Sequence, residues 1–433
     1  MDKNRIHLFR RRRETDKRYR RYVRCLTVIL LSVVMLCAGC TGKDAEGSSA
    51  GGSGEQTAAA DSRQNEAGSS TEAAPKTETA ATASRSWNNM SPVSSMDLLY
   101  ADQFSVDYYT GGYKLISVSD IGDYLLVPDG KNVPEGLPSD ITVIDGTPKH
   151  AYLAATSGMD FIVKIGRLNN LSFSGTKEDG WYIPEAKQAM QAKTLAYAGK
   201  YNAPDVEQML AGDCDLAIES TMILHNPEVK EQLEACGIPV IVEHSSYETH
   251  PLGRLEWVKF YGALFDAEDA AEQLFETETA KTADVLNETP TGKTVAFFYV
   301  TTNGGVNVRK SGDYVSKMIE LAGGTCITFD DSDEENALST MTIQMETFYE
   351  QAKDADYIIY NSTIDSELTC VSELLQKNAL FADFKAVKEG HVYGTGKNMF
   401  QETTGYGTMI ADMHAIFTGQ EIKSDYFYKL TEE

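Results

Sequence analysis

The chain has 433 residues and a formal net charge of −25; residues 1–39 hold eleven Lys/Arg against three Asp/Glu, so the remainder stands at −33. That length accommodates two domains with a substantial core each, and a body so acidic, with no Lys/Arg cluster to offset it, excludes nucleic acid as a partner through a basic surface. Seven cysteines occur, and the five from Cys40 onward include no CxxC pair and no Cys/His group at zinc-finger spacing, so no structural metal site is indicated.

The first 24 residues are densely basic and lead into the apolar run CLTVILLSVVMLCA, then Gly39 and Cys40. A basic flank, a short apolar core and small residues before a cut read as a signal peptide, because the run falls short of the roughly 20 residues that span a membrane, with an uncleaved N-terminal anchor as the alternative. Cys37-Ala38-Gly39-Cys40 resembles the lipobox of bacterial lipoproteins, with Cys37 in place of the usual leucine. That resemblance implies lipidation of Cys40 and a location on the extracytoplasmic face of the cell membrane. From Thr41 to Ser86 the chain is Gly, Ser, Ala, Thr and Glu with almost no large apolar residue. It cannot bury enough surface to fold, and as a flexible tether it reaches about 35–40 Å.

The folded body opens with strand candidates at Tyr113–Ser119, Tyr124–Val127 and Ile141–Ile144, a small antiparallel lead-in. Strands and helices then alternate: Ala151–Ala154, a helix from Ser157, Thr194–Ala198, a helix over Pro204–Leu210, Leu216–Glu219, a helix over Pro227–Cys236, and Pro239–Glu243. Alternation predicts a parallel sheet covered by helices. Residues 251–288 read as a connector of two helices, with Leu252, Leu255, Val258, Tyr261, Leu264 and Phe265 at helical spacing in the first. Asp266 is the expected N-cap of a second helix of about 33 Å that serves as a spine. After it the alternation resumes: Thr294–Val300, a helix near Tyr314–Ala322, Thr325–Phe329, a helix around Ile343–Ala352, Tyr357–Tyr360, Ser366–Gln376, His391–Tyr393, and a last helix near Tyr406–Phe417. The expected fold class is α/β: two Rossmann-like lobes joined by a long spine helix. The parts are a signal peptide (1–39), a tether (40–86), a first lobe (87–250), a connector (251–289) and a second lobe (290–433). Cys214 and Cys236 fall in the first lobe, Cys326 and Cys370 in the second, and each pair either forms a disulfide outside the cell or stays as thiols.

Two stretches repeat one another. Asp205-Val206-Glu207-Gln208-Met209-Leu210 is followed by Asp213-Cys214-Asp215-Leu216-Ala217-Ile218, and Met345-Glu346-Thr347-Phe348-Tyr349 by Asp354-Ala355-Asp356-Tyr357-Ile358-Ile359. With Pro251-Leu252-Gly253-Arg254-Leu255-Glu256-Trp257 ahead of a long helix and Ala322-Gly323-Gly324 after another, residues 100–425 resemble the solute-binding proteins that serve ABC importers of iron chelates, haem and corrinoids. The resemblance implies two rigid lobes with the ligand between them, a monomer, and no catalysis. It also implies that Glu207 and Glu346, one per lobe, dock against arginines of an ABC permease.

In α/β sheets ligands gather at the carboxyl ends of strands, where loops and helix N-termini present N–H groups. Those loops nominate Thr156 and Ser157, then Trp181 and Tyr182, whose rings can stack on a flat ligand. In the second lobe they nominate Tyr299, Asn303 within the Thr301–Gly305 loop, and Arg309 as partner of a ligand anion. His244 and His414 are the histidines to test as axial ligands of a haem; otherwise the histidines are scattered. No GxSxG, P-loop or metal-hydrolase motif occurs, so an enzyme is not expected. The expected function is capture of a metal chelate and delivery to a permease; the alternative is a surface receptor or sensor of the same fold that does not transport.

Overall fold

The computed structural model describes residues 90–329 and 340–432. The signal peptide, Cys40 and the tether lie outside the described residues.

Five strands open the body: β1 (Pro92–Ser95), β2 (Phe104–Tyr109), β3 (Lys114–Val118), β4 (Gly122–Val127) and β5 (Ile141–Asp145), neighbours in that order. The expectation of an antiparallel lead-in fails at the last pair, because β4 and β5 are parallel. A parallel pair needs a long return, and residues 128–140 supply it. Alternation along these strands sends Val106, Ile116, Val118, Tyr124 and Ile144 into the main core and Tyr109, Leu115, Leu125 and Val127 into a small core on the other face.

The first lobe runs β6 (Ala151–Leu153), α1 (Gly158–Lys164), β7 (Leu171–Ser174), α2 (Pro184–Gln191), β8 (Ala196–Tyr197), the hairpin β9 (Gly199–Lys200) and β10 (Ala203–Pro204), α3 (Val206–Ala211), β11 (Ala217–Ser220), α4 (Pro227–Ala235) and β12 (Val240–Glu243). Its sheet is ordered β12-β11-β6-β7-β8 and every pair is parallel. Strand β7 lies in a stretch that sequence alone leaves as loop, since four residues between Asn170 and Gly175 are too few to display a period. The opening sheet covers the edge of this one: Val242 N–H donates to the Tyr124 hydroxyl at 3.3 Å.

The connector is two helices, α5 (Pro251–Leu264) and α6 (Glu268–Leu286). Asp266 is not the N-cap of the second. Ala267 holds that position without a side-chain bond, while Asp266 sits in the left-handed region at φ 52° and turns the chain. Its carboxylate instead takes Lys114 at 2.7 Å and the Thr147 hydroxyl. Every residue of α5 except Arg254 is buried, and the helix is apolar nearly all round, as a helix inside a core must be. The true axis is therefore α5, with α6 packed along it.

Glu256 is wholly buried in α5 and accepts N–H bonds from Leu99, Tyr100 and Ala101 at 2.8–3.0 Å, with Lys259 at 3.2 Å. Glu248 takes Gln103 N–H at 3.0 Å and the Trp257 indole N–H at 2.9 Å. Two buried carboxylates thus fasten residues 99–103 to the axis, their cost met by charge-assisted donors.

The second lobe contains β13 (Lys293–Val300), β14 (Val306–Arg309), α7 (Tyr314–Leu321), β15 (Gly324–Cys326), β16 (Thr340–Ile343), α8 (Met345–Ala352), β17 (Tyr357–Tyr360), α9 (Val371–Lys377), α10 (Lys385–Lys388), β18 (Val392–Thr395), α11 (Tyr406–Thr418) and β19 (Phe427–Lys429). The sheet is mixed: β17 pairs parallel with β13 and β18, β15 pairs parallel with β13, and β14 and β19 run antiparallel to these, with β16 paired antiparallel to β14. Residues 301–305 are thus a hairpin turn between β13 and β14, with Gly304 at φ 80°, and Arg309 ends a strand. One continuous core carries side chains of the opening sheet, both lobes, α5, α6 and α11. Cys214, Cys326 and Cys370 are free thiols, so neither pair forms a disulfide within its lobe.

Candidate ligand cleft

The carboxyl ends of the two sheets face one another, and hydrogen bonds between the lobes show where. The segment after β18 reaches across to the loops after β6 and β7. Gln401 accepts from Tyr182 N–H at 2.7 Å and donates to the Gly180 carbonyl at 2.8 Å. Thr403 donates to the Ser157 carbonyl at 3.0 Å, and Thr404 gives its N–H (2.8 Å) and hydroxyl (2.6 Å) to Asp160, which is wholly buried in α1. Burial raises the Asp160 carboxyl to about 6, against the two Thr404 donors that lower it. These bonds join the lobes at one side of a candidate cleft, which the loops after β7, β11, β12, β13 and β17 would wall.

Large apolar side chains are exposed on those walls. Tyr182, Leu224, Tyr247 and Ile364, from the loops after β7, β11, β12 and β17, are each 41–50% exposed. Each follows the carboxyl end of a strand, where ligands of α/β folds gather, so these four are the apolar candidates for contact with a ligand.

The floor is polar. Glu243, at the end of β12, accepts from the Ser157 hydroxyl (3.1 Å) and Ser245 N–H (3.1 Å), and burial raises its carboxyl. His244 packs against Tyr247 with ring centroids 4.1 Å apart, and burial lowers its pKa against a smaller upward pull from Asp120. Arg254 lies between the lobes: its guanidinium is 3.8 Å from the centre of the Tyr314 ring and donates to the Ser246 and Glu248 carbonyls.

The nominated residues fall unevenly on this geometry. Thr156 and Ser157 are half-buried at the first wall, and Tyr182 is exposed. Trp181, beside it, is wholly buried, so its ring packs in the core and presents no face for stacking. Tyr299 is half-buried and Asn303 exposed at the hairpin tip. Arg309 is neutralised by Asp313 at 3.2 Å and rests on Phe400, 5.0 Å from its centre. His414 is buried in α11 with Nδ1 3.1 Å from the Ala322 carbonyl, behind the second sheet's helices rather than at a wall. Sequence reasoning missed Tyr247, Leu224, Ile364, Arg254 and Gln401. Only their positions just past strand ends could have flagged the first three. Among the described residues no cluster of three or more His, Cys, Asp or Glu is placed to hold a metal ion.

Glu207 and Glu346 occupy equivalent places. Each is the second residue of its helix, exposed, between buried residues one before and two after: Val206 and Met209 in α3, Met345 and Phe348 in α8. The aspartates that follow repeat the likeness. Asp215 accepts from Lys149 and His150 N–H just before β6, and Asp356 from Thr294 N–H in β13. The lobes are thus built on one local plan, each offering one outward carboxylate at a helix start.

A family model for periplasmic binding proteins matches residues 169–399, more than half of the chain. The chain belongs to that family. Two uncharacterized lipoproteins of Methanocaldococcus jannaschii are 26% identical over 228 residues (51% of this chain, 52% of that one) and 29% identical over 213 (47% and 53%). The chain spans about half the length of these curated relatives. Among solved structures, a periplasmic haem-binding protein of Pseudomonas aeruginosa superposes with a TM-score of 0.51 at 17% identity, covering 66% of this chain and 99% of that one. A periplasmic binding protein of Veillonella parvula gives 0.51 at 17%, covering 62% and 91%. The shared fold is the class III arrangement of two α/β lobes joined by helices.

Proposed function

We propose that this protein is a lipid-anchored, extracytoplasmic solute-binding protein that captures a metal chelate in the cleft and hands it to an ABC permease. The observation that carries the reading is the set of exposed apolar side chains on strand-end loops of both lobes, which suits a large ligand with flat or greasy faces, such as a haem, a corrinoid or a ferric siderophore. Thr156, Ser157, Tyr182, Tyr299, Asn303 and Arg309 stand around that cleft as its ligand-facing residues. The full-length chain in detergent, titrated with haemin, a corrinoid and ferric siderophores, should show saturable one-to-one binding of one class, read from ligand absorbance and protein fluorescence. No saturable binding by any class refutes the reading.

Delivery rests on Glu207 and Glu346, whose exposed carboxylates suit bidentate contacts with permease arginines. Glu207→Arg combined with Glu346→Arg should leave chelate affinity unchanged and abolish uptake by cells. Undiminished uptake would favour the receptor or sensor reading of the same fold.

A further inference from the structure

Residues 301–305 cross between β13 and β14 in a tight hairpin. Thr301 N–H donates to the Gly305 carbonyl at 2.8 Å, and Gly304 N–H to the Thr301 carbonyl at 2.9 Å, which closes a β-turn with Thr302 and Asn303 at its centre. Both central residues are exposed, and the Asn303 amide has no hydrogen-bond partner among the described residues. Gly304 follows in the left-handed region at φ 80°, and no atom lies within 4 Å of the point where a Cβ would stand. Asn303-Gly304 is the one Asn-Gly pair in the chain.

An asparagine side chain in that setting is an electrophile within reach of its own backbone. The Gly304 nitrogen, once it gives up its proton to hydroxide, attacks Cγ of Asn303. The new C–N bond closes a five-membered succinimide ring, and the bond from Cγ to the side-chain nitrogen breaks as ammonia leaves. Water then opens the ring at either carbonyl. One product is aspartate on the normal backbone; the other is isoaspartate, in which the main chain runs through Cγ and is one carbon longer. A side chain on the following residue would crowd the attacking nitrogen, and Gly304 has none. Neighbouring asparagines lack these conditions: Asn307 is half-buried in β14 ahead of Val308, and Asn361 is buried ahead of Ser362. The fold opposes the reaction through the Gly304–Thr301 bond, which an exposed turn breaks by local opening. We infer that Asn303 is a modification site, converting spontaneously to aspartate and isoaspartate as the protein ages. The exchange replaces a neutral amide, both donor and acceptor, by a carboxylate that only accepts, at one of the proposed ligand-facing residues.

The test holds the full-length protein in detergent at neutral and at mildly alkaline pH, digests samples at mildly acidic pH, where the reaction is slow, and reads the peptides by mass spectrometry. The peptide carrying Asn303 should gain the mass of an NH2-to-OH exchange sooner than any other asparagine peptide and split into two chromatographic isomers. Its conversion should quicken as pH rises, because only the deprotonated nitrogen attacks. The intact protein should gain one negative charge, read as later elution from an anion exchanger. Asn303→Gln, whose longer side chain would have to close a six-membered ring, should lose that shift. The chain unfolded in guanidinium gives the rate without the turn. Asn303 left intact in the folded protein over a period in which the unfolded chain converts it overturns the inference, and so does conversion no sooner than that of the other asparagines.

Discussion

Glu219 offers the sharpest test of how this fold handles buried charge. It lies on β11, fully buried on the face that carries Tyr152 and Val242, and among the described residues neither carboxylate oxygen has a hydrogen-bond partner. Burial without a partner raises its carboxyl from the usual 4.5 to about 8. The folded protein therefore keeps a proton that the unfolded chain releases. Stability from this group is full below about pH 4.5 and is lost as pH rises toward 8, at about 1.4 kcal/mol per unit. At neutral pH the accumulated cost is about 3 kcal/mol, a sizeable share of the stability of a typical protein. Glu219→Gln removes the titration and keeps the shape. Urea unfolding of both proteins at about pH 5, 6, 7 and 7.5 should show the variant gaining on the wild type by about 3 kcal/mol across the range. Any fixed cost of the amide's two N–H groups cancels in that trend. A difference that stays flat with pH would refute the argument, because it would mean Glu219 is ionised in the fold and water reaches it.

Glu256→Ala should cost about 3–5 kcal/mol in urea unfolding, because three N–H groups and part of the Lys259 charge lose their acceptor. Amide exchange at Leu99, Tyr100 and Ala101 should quicken selectively; unchanged exchange there would deny Glu256 its fastening role. Gly407→Ala should lower the urea midpoint sharply, since a Cβ would lie 2.1 Å from the Glu278 carbonyl oxygen and α11 would have to part from α6. A wild-type midpoint for that variant would show that the two helices separate at little cost.

Much of the fold was legible because local composition dictated it. Alternating apolar runs and amphipathic helices located the strands β6, β11, β12, β13 and β17 and the helices α1, α3, α4 and α7. The equivalent helix positions of Glu207 and Glu346 were legible because one short plan recurs in both lobes; their docking role came from the family resemblance and is a proposal. Asp266 was misread for an instructive reason: an acid before a helix satisfies the N-cap pattern, yet here its carboxylate is drawn 152 residues back along the chain to Lys114. Trp181 and Tyr182 are adjacent and aromatic, and sequence cannot tell which one is turned inward.

The sequence by itself determined the α/β class, the two-lobed plan, the acidic body and the export signal expected at its N-terminus, since each depends on residues near one another or on composition. The tertiary structure decided what depends on distant residues meeting. It made α5 the buried axis, joined the lobes through Gln401, Thr403 and Thr404, and brought Asp266 to Lys114 and Glu256 to residues 99–101. Those meetings join chain segments hundreds of residues apart, and no local pattern encodes them.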